Sequence, residues 1–432
     1  MTEPVAPVAA STPATLAPVA DQERIVTLDI LRGIALLGVV VANVWLWFSG
    51  IVFRMPGYRD ELLRVSLDSI VFMAIAIFVS GKAISTFSFL FGHGFAVQMV
   101  RAEARGRSVV PTYLRRLTVL LIIGLAHLTF VWYGDILTAY ALLGFVLVLF
   151  RKRSDRTLLV WAVVLMVAVP VLLGSIPMVM SAFGVEMPLP DMAKIGARNA
   201  ATLAVFQGAD YGAIVRENLV QAGKFFLGRK SVFLLYLLGL FILGLYVGRR
   251  RVFQNVAAHR EQFRRFRTWG LTIGLTASVI MAILQTTLEP QTMMSRPWLI
   301  LIVALISVLG MAPLAAGYVS TATLLLEKPE WADRLSVFAP VGRMALTNYL
   351  LQSVILVTIF NGYGLGMIGH IGPTVGLIIA LTLYALQMMW SPIWLSHFRF
   401  GPMEWLWRSL TYGAAQPMRI TRPAASMVGT TG

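Results

Sequence analysis

RIVTLDILRGIALLGVVVAN, residues 24–43, opens on charge, runs apolar toward bilayer length, and then meets a polar side chain at Asn43. Crossing a hydrocarbon core about 30 Å thick takes about 20 largely apolar helical residues, and the stretch from Leu28 to Ile51 supplies them. On a helix, Arg32 and Asn43 are eleven residues apart, near three full turns, so they share one face at roughly 16 Å axial separation. Asp29 lies one turn before Arg32 on the same side. An unpaired Asp or Arg at bilayer depth costs about 2.5–3.5 kcal/mol on insertion scales, so this stripe must face protein or water. The segment reads as a membrane helix carrying a functional polar seam.

The rest of the chain agrees. Its 432 residues are 58% hydrophobic and only 13% charged, with a mean hydropathy of +0.77, whereas a soluble domain carries about 25% charged residues. Apolar stretches of spanning length recur at 71–100, 117–132, 136–150, 158–180, 232–247, 269–288, 298–326, 337–360 and 374–394. The fold expected is all-α: a polytopic integral membrane bundle of about ten transmembrane helices. The net charge of +16 would suggest nucleic acid in a soluble protein. Here the cations sit in short runs between apolar segments, which excludes that reading and points instead to topology signals and contacts with anionic lipid. With no cysteine, disulfides, thiolate nucleophiles and Cys–metal sites are excluded, and no His pair has metal-ligand spacing. Neither a bound cofactor nor a metal is expected.

Basic clusters at 101–116, 151–156 and 249–267 fall on one side if the ten spans alternate. That predicts a multi-pass protein with both termini inside. The segment 61–100 is too long for one straight span, and a break near Gly81 and Lys82 is expected; two full crossings there would turn the N-terminus outward. Residues 1–23 and 414–432, rich in Pro, Ala, Thr and Gly, read as disordered tails around a single transmembrane domain, 24–413. Within it, the polar stretch 181–230 is expected as an external excursion, either a lid or an acceptor-binding surface, or merely an external helix pair. Residues 400–413 read as an interfacial helix, with Pro402 at a first helical position and Trp405, Trp407 and Arg408 at headgroup level.

Several constellations could carry chemistry. His127 ends one span and Asp135 opens the next after a short turn, so imidazole and carboxylate can meet as a general-base pair; alternatively, Asp135 caps a helix and His127 binds a backbone carbonyl. Asn348 and Gln352 lie one turn apart, with Arg343 at the entrance of their helix. They act either as interhelical glue or, together with Asp29, Arg32 and Asn43, as the lining of a tunnel for a phosphate-bearing donor. His93, between Gly92 and Gly94, can reach the same cavity or serve packing, and Lys82 can snorkel or pair with Asp68 or Asp29. Arg24, Asp29, Arg32, Lys82, His93, Arg343, Asn348 and Gln352 are therefore the candidate substrate-binding residues.

Taken together, Arg24, LDILRG (28–33), Asn43, FSFLFGHGF (87–95), RRL (115–117), GLAH (124–127), WYGDIL (132–137), GRMALTNYLLQS (342–353) and GPMEWLWR (401–408) resemble the YeiB-like family of bacterial inner-membrane proteins, DUF418. The resemblance covers about residues 24–413. The opening motif is also similar to a wider group of membrane acyltransferases, the bacterial O-acyltransferases and the lysosomal heparan glucosaminide N-acetyltransferases. The latter likewise place Asn where this chain has Asn43, and pair it with a His where this sequence has the Arg54 region. The resemblance implies an acyltransferase-like architecture in the bacterial inner membrane, with acyl-CoA as donor substrate and a small molecule or glycan as acceptor. Asn43 would be catalytic as its counterpart is there; the partner His has no counterpart near Arg54, so His127 with Asp135, the pair read from spacing, would take its place as the remaining catalytic residues. A small-molecule transporter is the rival expectation and a noncatalytic scaffold the third.

Overall fold

The computed structural model describes residues 25–54, 58–106, 108–185, 191–228 and 231–420. The predicted tail 1–23, Arg24, and residues 421–432 lie outside the described residues. Among those described there is no strand, only an isolated bridge between Phe398 and Arg419. Among the described residues, eight helices are long and apolar enough to cross a membrane: α1 (Val26–Arg54), α2 (Leu67–Ala104), α3 (Val110–Phe130), α5 (Asp155–Ala182), α8 (Val232–Arg249), α9 (Ala257–Thr287), α10 (Pro297–Leu325) and α12 (Pro373–His397). Two shorter apolar helices, α4 (Leu137–Val148) and α11 (Ala345–Phe360), complete the bundle. The helices α6 (Met192–Gln207), α7 (Tyr211–Leu227) and α13 (Pro402–Tyr412) lie across its ends. This is a multi-pass membrane protein. Leu172, Ile283, Ile378 and Met389 remain exposed on its flanks, a distribution that suits lipid.

Hydrogen bonds between connections define the two ends. At the basic end, Arg249 binds the Arg151 and Arg153 carbonyls, Arg250 pairs with Asp155 at 2.7 Å, and Arg260 pairs with Glu327 at 3.0 Å. At the opposite end, Gly369 N–H donates to Ser49 O, Thr374 N–H to Asp68 at 2.9 Å, and Gln207 to Ile368 O at 3.1 Å. The predicted excursion forms the pair α6–α7, which seats on this second end: Tyr211 Oη donates to Phe130 O at 2.6 Å and Asn218 to Thr129 O at 3.3 Å. We call this the lid end.

The long segment before Ala104 makes one bent pass rather than two. At Gly81 the backbone takes φ +80°, a left-handed conformation that glycine adopts without steric cost. Val79 and Ser80 N–H both close on Ile75 O, which ends the first half of α2. Lys82 then reaches back to Ala76 O at 3.1 Å, satisfying one of the carbonyls that the broken helix leaves orphaned. Neither Asp68 nor Asp29 is its partner, because Asp68 is taken up at the lid end. Ile25 and α13 consequently share the basic end.

Between α1 and the short helix Ala339–Arg343 the backbones touch. A Cβ at Gly342 would lie 1.9 Å from Asp29 O, and one at Gly33 would lie 2.2 Å from Phe338 O. Only glycine permits this approach, which Tyr384 Oη secures by donating to Gly33 O at 2.6 Å. The contact brings Arg32 and Arg343, distant in sequence, to one mouth.

The interfacial segment docks firmly. Glu404 accepts from the N–H groups of Leu346 and Thr347 and from the Thr347 hydroxyl, and Trp407 donates to Arg116 O at 2.8 Å. Burial holds the Glu404 carboxyl above its ordinary range, and these donations offset that rise only in part. Within the stretch predicted as a tail from residue 414, the described residues make hydrogen bonds to the bundle. Arg399 N–H donates to Met418 O, Ile420 N–H to His397 O, and the Trp405 indole N–H to Gln416 O, so backbone and side-chain hydrogen bonds hold 416–420 against the bundle.

Candidate functional site

One cavity of about 1060 Å³ runs inside the bundle from the basic end to the lid. Its basic mouth is lined by Arg32, Arg101, Arg116, Arg343 and Arg408, with Asp29 and Glu404 as the carboxylates. Arg32 is fixed by Asp29 at 2.8 Å, one turn away on α1. Arg116 stacks over Trp407, 3.9 Å from the ring centroid, and Arg408 over Phe400 at 4.5 Å. Planar guanidiniums held on aromatic faces are preorganised for bidentate phosphate binding. Midway, Asn43 lies on the wall just before a π-helical turn, Val44–Phe48. Such turns are frequent at functional sites, and among the described residues the Asn43 side chain takes no hydrogen-bond partner. At the lid end the wall is formed by Tyr133, Asp135 and Tyr349, with Arg198 and Lys224 contributed by the lid helices.

The predicted His–carboxylate pair forms. His127 Nδ1 and Asp135 Oδ1 are 2.9 Å apart, both side chains buried. Asp135 Oδ2 also accepts from Thr138 N–H at 2.7 Å, so this carboxylate caps α4 and orients the imidazole at once. Nε2 of His127 is buried with no partner among the described residues. The ring packs 5.5 Å from Tyr349, centroid to centroid, and it is Asp135 and Tyr349, rather than His127, that line the cavity.

A family model described as "Protein of unknown function (DUF418)" matches residues 247–414. The chain is 35% identical to the uncharacterized protein YxaH of Bacillus subtilis (strain 168) over 94% of its own length and 98% of that relative. The chain belongs to the YeiB-like DUF418 family. It is also 28% identical to the uncharacterized protein YeiB of Escherichia coli (strain K12), over 91% of this chain and 98% of that one. A third relative, the uncharacterized 39.9 kDa protein in amylase 3'region of Bacillus acidopullulyticus, is 27% identical over 94% and 99% of the two chains. No solved structure matches.

Of the residues singled out from the sequence, this DUF418 fold gathers Asp29, Arg32, Asn43, His93, Asp135 and Arg343 on one cavity. Asn348 and Gln352 face elsewhere. Asn348 donates to Val341 O and Ser391 at 3.2 and 3.1 Å, Gln352 to Gln387 at 2.7 Å, and Gln387 to Asn348 O at 3.0 Å. This amide ladder joins α11 to α12, the interhelical alternative rather than a tunnel lining. Lys82 lies apart as well, beside a smaller apolar cavity of about 410 Å³. Among the described residues no three of His, Asp and Glu converge as a metal-ligand set. The sequence reading missed Tyr349 and Arg116. Tyr349 follows Asn348 immediately, and the helical turn puts it on the cavity side together with Ala345 and Leu346.

Proposed function

We propose that this chain is an integral membrane acyltransferase of the bacterial inner membrane, taking an acyl-CoA-like donor at the basic, cytoplasmic end and an acceptor, a small molecule or glycan, at the lid. What carries the reading is the continuity of one cavity from a mouth of five arginines to Asp135. The arginines hold donor phosphates, and Asn43 donates to the thioester carbonyl oxygen as negative charge develops on it. The acceptor hydroxyl or amine attacks the carbonyl carbon. The C–S bond breaks, the thiolate leaves toward the basic end, and the acceptor proton passes to the Asp135–His127 pair. The likeness of the opening motif to membrane acyltransferases supports the same chemistry. Purified protein in nanodiscs, given acetyl-CoA labelled in the acetyl group and a panel of sugars and amines, is expected to yield labelled acceptor. Neither product nor donor binding across that panel would remove the proposal.

A second reading, a small-molecule transporter, draws support from the break at Val79–Gly81 inside a pass of the bundle. Proteoliposome flux of an unmodified solute, with no label transferred, is its distinguishing result.

Orientation follows from the basic clusters at one end. The chain lacks cysteine, so single reporters are clean. Ala209→Cys, in the exposed turn between the two lid helices, is expected to react with a membrane-impermeant maleimide in intact cells, and Ser154→Cys only after permeabilisation. The opposite pattern would place the donor mouth outside.

A further inference from the structure

His93 is an anomalous polar group of the bundle. It is fully buried on α2, at 0% exposure, yet neither ring nitrogen has a hydrogen-bond partner among the described residues. Its neighbours are aromatic: Phe253 at 5.4 Å and Phe89 at 6.5 Å between ring centroids. Ring contacts of this kind replace a hydrogen bond poorly, and a buried polar group left unpaired is destabilising. Packing alone gives no reason to keep an imidazole there, since phenylalanine would fill the space without the penalty. His93 nevertheless lines the cavity, and Arg32 is the charged group near enough to act on it electrostatically. A second orphan lies on the same basic half: the Tyr113 hydroxyl, buried and unpartnered, on the cavity wall.

We propose that His93 is a ligand-contacting residue of the basic mouth, where together with Arg32 it holds a phosphate ester that carries a hydroxyl or amide N–H close to the phosphate. The donor and acceptor inventory leads to this class. Arg32 offers only donors, so it selects an anionic oxygen. A neutral imidazole adds one N–H donor for that oxygen and one lone pair, which requires a donor on the ligand. Tyr113 supplies a further hydroxyl. Two sources carry this chemistry: the phosphopantetheine arm of an acyl thioester, with its amides and hydroxyl, and a glycerophosphate lipid headgroup. The inference deepens the acyltransferase reading by naming what the donor mouth recognises, but its binding test does not require turnover.

The test uses the full chain in phosphatidylcholine nanodiscs. One arm titrates coenzyme A; the other incorporates phosphatidylglycerol and measures its enrichment around the protein. His93→Phe keeps an aromatic ring, slightly larger than the imidazole, and removes both nitrogens. It is expected to melt at or above the wild-type temperature while losing about ten- to a hundredfold in affinity for one of the two probes. His93→Gln, which retains a donor and an acceptor, should recover part of the loss. Unchanged binding of both probes by folded His93→Phe overturns the proposal. A His93→Phe protein that melts far below wild type also overturns it, because the nitrogens would then serve the fold, and so does a wild type that binds neither probe. Binding of phosphatidylglycerol alone leaves the His93 assignment standing and removes acyl-CoA as the donor.

Discussion

Gly342→Val is expected to abolish recovery of folded protein, with the monodisperse peak lost in detergent size-exclusion and no cooperative melt in the remainder. The Cβ alone would lie 1.9 Å from Asp29 O and 2.8 Å from Gly33 N. Both are backbone atoms, so no side chain can swing away. Relief requires α1 to part from Ala339–Arg343, which would break the Tyr384–Gly33 hydrogen bond at 2.6 Å and open a contact in which Val341 is fully buried. Overpacking in a core ordinarily costs about 1–3 kcal/mol; an overlap with rigid backbone on both sides falls at or beyond the upper end. The contrast is Gly196→Ala on α6, where an added Cβ meets nothing within 4 Å. That change should leave the melt unaltered or raise it slightly, since alanine exceeds glycine in helix propensity by about 1 kcal/mol. Equal melting of the two variants would mean that α1 and the Ala339–Arg343 helix are not in backbone contact.

The passes themselves were legible because bilayer crossing imposes a length and a composition that single residues cannot disguise. The apolar stretches read at 117–132 and 374–394 overlap α3 and α12. The break before Lys82 was legible as well, since Gly81 interrupts an apolar run too long for a single span. Its consequence was not, because one bent pass and two full passes have the same hydropathy. What decided it was a pair of hydrogen bonds, Thr374 to Asp68 and Lys82 to Ala76, and neither leaves a periodic trace in sequence. The His127–Asp135 pair was readable because a short turn forces neighbouring helices together. The roles of Asn348 and Gln352 were not, because their polarity is the same whether they meet a ligand or Gln387 and Ser391. A helical face says which residues point together; only packing says toward what.

Asp135→Asn is expected to separate folding from turnover. The asparagine Oδ1 can still accept from Thr138 N–H, the bond that measures 2.7 Å in the wild type, so the cap of α4 persists. Losing such a cap outright, as in Asp135→Ala, costs about 1 kcal/mol. What the amide cannot do is hold the charge that orients and stabilises a protonated His127, whose Nδ1 is 2.9 Å from the carboxylate. Under the proposed acyltransferase function, single-turnover transfer from labelled acetyl-CoA should therefore fall by about 100- to 10,000-fold, the range that general-base groups contribute, while donor affinity, which that proposal assigns to Arg32 and Arg343 at the far mouth, stays within about twofold. His127→Gln should fall by a similar factor. The double variant should be little worse than either single, because groups that move one proton act as a unit and their losses do not add. Losses that multiplied would place the two side chains in separate steps. Transfer within about twofold of wild type in Asp135→Asn would move the proton-accepting role away from this pair and leave the carboxylate as a helix cap alone.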